Sequence, residues 1–168
     1  MITITKEILN QNATNYNIKT VFNGFLSQTR DTFIKKNDEF EIVSKRKPNN
    51  NEFISLLLGW KLVKFVKSNA IVFTNHEKLL GVGAGQMSRV DSVKIAIRKS
   101  FENGLNLSGS IMASDAFFPF SDSIKLAKEA GAVGVIHPGG SIKDKEIIEA
   151  ANELNLIMVL TKERHFYH

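Results

Sequence analysis

A chain of 168 residues is long enough for one domain, or one domain with an extension, and can bury a core without disulfide bonds. It contains no cysteine, which excludes disulfides, cysteine nucleophiles and thiolate metal sites. The formal net charge of +5 comes from lysines mixed with acidic residues, so anionic small ligands explain it at least as well as nucleic acid does. The lack of cysteine fits a cytoplasmic protein, which we expect. The sequence has no apolar run of about 18 residues for a membrane span and no signal-peptide pattern.

The first 48 residues are predicted to form an N-terminal extension with a short helix and strands. Lys6 to Asn12 indicates the helix, and Ile18 to Thr29 indicates one or two strands. Phe40 to Ser44 indicates a further short strand, which ends at the basic cluster Lys45 to Lys47. We interpret this cluster as a solvated strand end, with a nucleic-acid patch as the minor alternative.

Residues 49–168 are predicted to form the main α/β domain. Apolar side chains at helical spacing indicate an amphipathic helix from about Asn51 to Lys67, with Trp60 in the core. Five strands are predicted further along the chain, separated by one turn and then by helices: 71–73, 79–82, 110–113, 133–136 and 156–160. Strands that alternate with helices indicate a mostly parallel sheet with helices on both faces, and the turns that follow its strands lie at one edge.

A glycine-rich stretch, Gly81 to Gly85, leads into a predicted helix that Ser88 is placed to cap. Backbone N–H groups at a helix start favour an anion, and the Arg89 guanidinium adds a full positive charge beside them. These features predict a phosphate or carboxylate site at residues 85–90. The alternative is a tight strand-to-helix turn with a surface arginine.

The order of elements is similar to that of the cytidine-deaminase-like fold, in which a sheet lies between two layers of helices. Those deaminases carry His-x-Glu at the start of the second helix and Pro-Cys-x-x-Cys at the start of the third. In this sequence the first place holds Gly85 to Ser88 and the second holds Asp115 to Pro119. Because the chain has no thiols and only scattered histidines, we predict that it has no zinc site.

Five motifs in register resemble one enzyme family: Lys67 to Ala70, Gly81 to Val90, Ala113 to Phe120, Pro138 to Ser141 and Arg164 to His168. Together they are similar to the C-terminal part of the bifunctional purine biosynthesis family, which carries AICAR formyltransferase and IMP cyclohydrolase. A weaker resemblance over Val21 to Pro48 extends the match over most of the chain. The resemblance implies formyl transfer from 10-formyltetrahydrofolate to AICAR ribonucleotide in de novo purine biosynthesis.

The resemblance also implies roles for individual residues. Four of them resemble the family's nucleotide contacts: Asn69, Arg89, Phe117 and Arg164. Four others match positions near the folate: Val90, Asp122, Ser141 and Ile142. Three lie where the family can hold a structural monovalent cation, such as potassium: Ser68, Asp115 and His168. Arginines suit a phosphate-bearing ligand, and an aromatic side chain suits a flat ring.

Other aromatic residues and histidines of these motifs are given structural roles. For Phe118 and Phe120 we favour core packing over ligand contact. His137 stands beside a Gly-Gly turn, at a position where the family often has glutamine, and a catalytic role for it is the minor alternative. His165 and His168 are interpreted as structural, and His76 as an exposed turn residue.

The sequence departs from the family at its catalytic centre. The family's Lys-His pair lies in a Lys-His-x-Asn-Pro motif of the first of two deaminase-like halves, whereas no histidine follows a lysine here. The cyclohydrolase domain is also absent from the sequence. We therefore expect ligand-binding walls without catalytic residues, and little or no formyl transfer by the chain alone.

Two kinds of partner and two functions stay open at this point. The expected protein partner is a second copy of the chain or the missing N-terminal half, since the family places its active sites across a dimer interface. The chain is then a fragment of a longer enzyme or one subunit of a split enzyme. The alternative function is a non-catalytic nucleotide-binding module.

Overall fold

The computed structural model describes residues 16–31 and 40–167. The predicted helix at Lys6–Asn12 and the candidate cation ligand His168 therefore lie outside the described residues. The chain divides into two compact units, Met1–Phe33 and Ile34–His168. The predicted boundary after residue 48 falls within the second unit.

The described part of the first unit is an antiparallel hairpin. Strand β1 (Tyr16–Val21) pairs with β2 (Gly24–Thr29), as the sequence pattern predicts. Phe22, at the turn between them, has a φ angle of 47° and a fully exposed side chain. Both strands are exposed along their whole length.

The described part of the second unit contains a six-stranded sheet with four helices. Its strands are β3 (Glu41–Ile42), β4 (Ile71–Thr74), β5 (Leu79–Gly83), β6 (Ile111–Ser114), β7 (Gly134–His137) and β8 (Ile157–Leu160). Its helices are α1 (Asn50–Val63), α2 (Arg89–Glu102), α3 (Asp122–Glu129) and α4 (Asp144–Glu153). The strand order across the sheet is β3-β8-β7-β6-β4-β5. None of the described helices is both long and apolar enough to cross a lipid bilayer.

The sheet is mixed, and the prediction of a mostly parallel sheet is wrong. The pairs β6–β7 and β7–β8 are parallel, whereas β3–β8, β4–β6 and β4–β5 are antiparallel. A turn at residues 75–78 joins β4 to β5, and so short a connection forces an antiparallel pair. Helix α2 then carries the chain across β4 to β6, so β4 lies between two strands that run opposite to it.

This reversal brings the start of β4 to the edge of the sheet where its neighbours end. Ile71, the first residue of β4, pairs with Gly83 at the end of β5 and with Ser114 at the end of β6. The ends of β7 and β8 lie at the same edge, because His137 pairs with Leu160. The segment that enters β4 and the four segments that leave β5 to β8 therefore meet there.

Two hydrophobic cores fill the two faces of the sheet. On one face Leu56, Trp60 and Val63 of α1 pack against Val72 and Ile136, so the prediction that Trp60 is a core residue is confirmed. On the other face the buried side chains come from α2, α3, α4 and the sheet, including Phe73, Val93, Met112, Phe118, Ile124 and Ile147. The domain therefore has three layers, with helices on both sides of the sheet as predicted.

Two local predictions are corrected by the structure. Phe118 is fully buried as expected, but Phe120 is 56% exposed, and Lys143 Nζ lies 4.4 Å from the centroid of its ring. Ser88 occupies the N-cap position of α2, yet its side chain makes no capping hydrogen bond. Helix α1 has a capping box instead, in which Asn49 and Glu52 bond to each other's backbone N–H.

Gly83 is required by the close contact between β5 and α2. A Cβ atom at this position would overlap the backbone carbonyl group of Ser92, which a flexible side chain cannot relieve. We expect Gly83→Ala to lower the free energy of unfolding by about 3 kcal/mol or more, measured by urea denaturation. Gly104→Ala is the control: Gly104 has a φ angle of 67° and open space around its Cβ position, so backbone strain of about 1 kcal/mol is expected. Equal losses in the two variants would contradict the packing argument.

Candidate functional site

The Arg89 guanidinium is the centre of a hydrogen-bond network at this edge of the sheet. Its Nη1 donates to Asp115 Oδ1 at 2.5 Å and to Ser114 Oγ at 2.9 Å, and its Nη2 donates to Asn69 Oδ1 at 2.9 Å. The side chain of Arg89 is 9% exposed and that of Asp115 is 1% exposed. Arg89 therefore forms a buried ion pair, and its charge is already compensated within the domain.

Asn69 is held in place by hydrogen bonds of its side-chain amide and of its backbone. Its Nδ2 donates to the backbone oxygens of Gln86 at 2.9 Å and Met87 at 3.1 Å, while its own backbone oxygen accepts from Ser92 Oγ at 2.7 Å. The peptide bond that precedes Asn69 is cis. These contacts attach the entry to β4 to the glycine-rich loop and to the first turn of α2.

The C-terminal tail closes the network from the other side. Ser68 N donates to Tyr167 O at 2.9 Å, and Tyr167 N donates to Ser68 Oγ at 3.3 Å. His165 N donates to the backbone oxygen of Asp115 at 3.2 Å. The His165 side chain is buried, and its ring centroid lies 4.4 Å from that of Trp60, in line with the structural role predicted for it.

The candidate cation ligands Ser68 and Asp115 lie together. Ser68 Oγ donates to Asp115 Oδ2 at 2.5 Å, and Asp115 Oδ1 accepts from Arg89. Both carboxylate oxygens thus already accept hydrogen bonds, one of them from a cation. Among the described residues no cluster of three or more His, Asp or Glu side chains is placed to hold a metal ion. Arg89 and Ser68 therefore already provide partners for both oxygens of Asp115, and the potassium site stays a prediction.

The four residues predicted to contact the nucleotide line one open cleft of about 460 Å³. The Arg164 guanidinium carbon lies 4.7 Å from the centroid of the Phe117 ring, in cation–π geometry. Both residues sit beside the buried Arg89–Asp115 pair. The lining side chains are Asn69, Met87, Ser88, Arg89, Ala116, Phe117, Pro119, Arg164 and Phe166. The cleft offers an aromatic face and an exposed cation, which suit a flat ring and an anionic group.

A second cleft of about 280 Å³ adjoins the first and contains two of the predicted folate contacts. Val90 and Asp122 line it, together with Ser88, Arg89, Pro119, Phe120 and Ser123. Ser88, Arg89 and Pro119 are common to both clefts and form the wall between them. Two ligands bound in these clefts would therefore lie next to each other.

The other two predicted folate contacts lie on the turn that leaves β7. The Ile142 side chain is fully exposed, and Ser141 Oγ accepts a hydrogen bond from Lys143 N at 3.2 Å. Neither residue lines the two clefts. The turn nevertheless lies against the first cleft, because the Cβ position of Gly140 is 3.5 Å from Arg164 Nη2.

His137 is buried at the end of β7. Its side chain is 1% exposed, and its ring stands edge-on to Phe118 with 5.0 Å between the centroids. Burial lowers the pKa of His137 from 6.5 to about 4; the Asp144 carboxylate opposes this shift and Arg89 adds to it. His137 is therefore neutral at physiological pH, and it does not line either cleft.

Larger clefts of about 520 and 470 Å³ exist elsewhere in the second unit. The first contains Phe101 and Leu105, the second contains Leu79 and Ile95, and both are lined mainly by apolar side chains. Neither contains any of the predicted site residues. We therefore place the candidate site at the sheet edge, where charged, aromatic and amide side chains converge.

Comparisons with known proteins agree with these motifs. Residues 1–99 match the model of the AICARFT/IMPCHase bienzyme family. The chain belongs to this family. It is 50% identical over 165 residues to the bifunctional purine biosynthesis protein PurH of Chlorobium phaeobacteroides, a match that covers 98% of the chain. It is 49% identical over 151 residues to PurH of Nostoc punctiforme and 53% identical over 145 residues to PurH of Chlorobium phaeovibrioides, with 90% and 86% of the chain covered.

The chain spans about three tenths of the length of these relatives, with 31%, 29% and 28% of each covered. The membership confirms the resemblance drawn from the motifs and places the chain among purine biosynthesis proteins. The matched region includes the glycine-rich loop and Arg89, whereas most of each relative's sequence lies outside the match.

Sequence reasoning missed the structural role of Arg89. The motif singles out Arg89 as an anion contact and Asp115 as a cation ligand, but the structure pairs the two side chains with each other. Both side chains project from the same sheet edge and carry opposite charges, and that signal could have suggested the pair. Ser114 was missed altogether; its hydroxyl accepts from Arg89 and donates to the backbone oxygen of Ala116.

Proposed function

We propose that this chain supplies the nucleotide-binding and folate-binding walls of an AICAR formyltransferase. The observation that carries the proposal is the pair of adjoining clefts with one common wall, Ser88, Arg89 and Pro119. A transfer between two substrates requires that they bind side by side. The predicted nucleotide contacts line one cleft, and two predicted folate contacts line the other.

The chemistry of the proposed reaction explains what each cleft has to provide. The amine nitrogen of AICAR bonds to the formyl carbon of 10-formyltetrahydrofolate, and the bond from that carbon to N10 breaks. The amine loses one proton and N10 gains one, so the products are formylated AICAR and tetrahydrofolate. In the first cleft, we propose that Phe117 packs on the AICAR ring while Arg164 pairs with an anionic group of the nucleotide.

We propose that the proton transfers depend on residues outside this chain. AICAR carries a poor amine nucleophile, so its attack needs a base and a donor for the oxygen that develops negative charge. The family's Lys-His-x-Asn-Pro motif is absent from the sequence, and His137 is buried away from the clefts. We propose that the missing N-terminal half supplies these groups. A second copy of the chain, which also lacks the motif, is the alternative partner only as the other subunit of a dimeric, cytoplasmic enzyme of cytidine-deaminase-like fold.

Binding of AICAR ribonucleotide tests the first cleft. We expect the chain to bind the nucleotide in a calorimetric titration, and Arg164→Ala to weaken that binding by about 10- to 100-fold, because an exposed cation that pairs with an anion contributes roughly 1.4–2.8 kcal/mol. Arg164 is a better probe than Arg89, whose loss would also leave Asp115 unpaired. The side chain of Arg164 is exposed, so its removal is expected to leave the fold intact.

Arg98→Ala is the matched control, since Arg98 is 64% exposed on α2 and lies outside both clefts. It should bind the nucleotide like the wild type. A chain that binds no nucleotide, or an Arg164→Ala variant that binds as tightly as the Arg98→Ala control, would overturn the assignment. Nucleotide binding without any folate binding would favour the alternative, a non-catalytic nucleotide-binding module.

A further inference from the structure

The turn that leaves β7 is fixed by two hydrogen bonds from its own backbone. Gly139 N donates to His137 Nδ1 at 3.1 Å, and Gly140 N donates to Asp144 Oδ2 at 2.6 Å. Each bond joins a glycine N–H group to a side chain of a regular element, one at the end of β7 and one at the start of α4. The turn is thus held at both ends by elements of the main domain.

The glycines adopt conformations that need such support. Gly139 and Gly140 have φ angles of 70° and 92°, which other residues rarely adopt. Two consecutive glycines with positive φ would be free to take many other conformations if their N–H groups were unpaired. The bonds to His137 and Asp144 select one of them, and so determine where Ser141 and Ile142 lie.

We propose that His137 and Asp144 are positioning residues that shape the 138–142 turn as a folate-binding edge. The proposal rests on the proposed function and on the resemblance to the family, which implies that Ser141 and Ile142 of this turn contact the folate. Neither residue of the positioning pair touches the ligand in this proposal. Both act on the turn by accepting hydrogen bonds from its glycine N–H groups. The Cβ position of Gly140 lies 3.5 Å from Arg164 Nη2, so the same turn borders the first cleft.

The protonation state of His137 fits this role. Accepting from Gly139 N requires a bare lone pair on Nδ1, so the proton of the neutral ring is on Nε2. With its pKa lowered to about 4, the ring keeps that lone pair across the physiological range. A glutamine at this position also carries an oxygen acceptor, whereas leucine carries none. The contrast between the two substitutions isolates the hydrogen bond from the loss of side-chain volume.

The test compares paired variants of the full chain in calorimetric titrations with 10-formyltetrahydrofolate and, separately, with AICAR ribonucleotide. His137→Leu and Asp144→Ala remove the acceptors, while His137→Gln and Asp144→Asn keep one. We expect the first two to weaken folate binding about tenfold or more and AICAR binding less than about threefold. The second two should stay within about threefold of the wild type for both ligands. Amide hydrogen exchange at Gly139 and Gly140 should be faster only in the first two.

The Asp144 variants keep the test decisive if His137→Leu fails to fold. The Asp144 side chain is only partly buried, so its replacement does not open a cavity in the core. Folate binding that is unchanged in Asp144→Ala would overturn the proposal, and so would equal losses of folate and AICAR binding. A wild-type chain that binds AICAR but not folate overturns it as well. Failure of the proposed function is distinct from these results, since the wild-type chain would then bind neither ligand.

Discussion

Replacement of Arg89 by methionine is expected to lower the free energy of unfolding by about 3–5 kcal/mol, because it leaves the Asp115 carboxylate buried and unpaired. Asp115 is 1% exposed, so water cannot replace the guanidinium as its partner. The measurement is urea denaturation of the wild type and the variant at neutral pH.

The double variant Arg89→Met/Asp115→Asn identifies the cause of the loss. Removal of the unpaired charge should recover at least about 1–2 kcal/mol of what Arg89→Met alone loses. Arg98→Met is the control, since this arginine of the same helix is 64% exposed and should change stability by about 0.5 kcal/mol or less. A loss in Arg89→Met as small as in Arg98→Met would show that the ion pair is not a structural element of the domain.

Acidification from pH 7 to pH 4 is expected to destabilise the wild type by about 3 kcal/mol more than it destabilises His137→Gln. The pKa of His137 is about 4 in the folded chain and 6.5 as its ordinary value, which we take for the unfolded chain. Between these two values the unfolded chain binds a proton that the folded chain excludes. Stability is therefore lost as the pH falls through this window, and the loss is complete below pH 4.

Urea denaturation at several pH values between 7 and 4 measures this difference. Other acidic groups titrate in the same range, but they are common to the wild type and the variant and cancel in the comparison. His76→Gln is the control, because His76 lies in the exposed turn between β4 and β5, and its curve should follow that of the wild type. Parallel curves for the wild type and His137→Gln would mean that the folded chain accommodates a protonated His137.

The positions of most elements follow from local patterns, but the directions of the strands do not. Helical spacing of apolar residues predicts a helix ending near Lys67, and α1 ends at Val63. The reversal of β4 depends on which strands become neighbours across the sheet, and no local pattern encodes that choice. The sequence indicates the short turn between β4 and β5. It does not indicate that α2 crosses β4, and this crossing places β4 between β5 and β6.

Within the site, the motifs predict which residues meet in one cleft but not how their charges pair. Motif resemblance singled out Asn69, Phe117 and Arg164, and the structure brings all three into one cleft with Arg89. The ion pair of Arg89 was not predicted, because its partner is 26 residues away in sequence. Ile142 matches a folate position of the family, but its side chain is fully exposed and lines neither cleft.

The length of the reversed strand β4 also determines where Asn69 lies relative to the other site residues. Asn69 lies two residues before β4, whereas the other site residues follow strands that run the opposite way. Insertion of two residues within β4 would keep its apolar side chains on the correct faces, yet it would displace Asn69 by about 7 Å relative to Arg89. Such an insertion could preserve the core and still dismantle the cleft, so the spacing of these four strand residues is under a constraint that hydrophobic patterning alone does not impose.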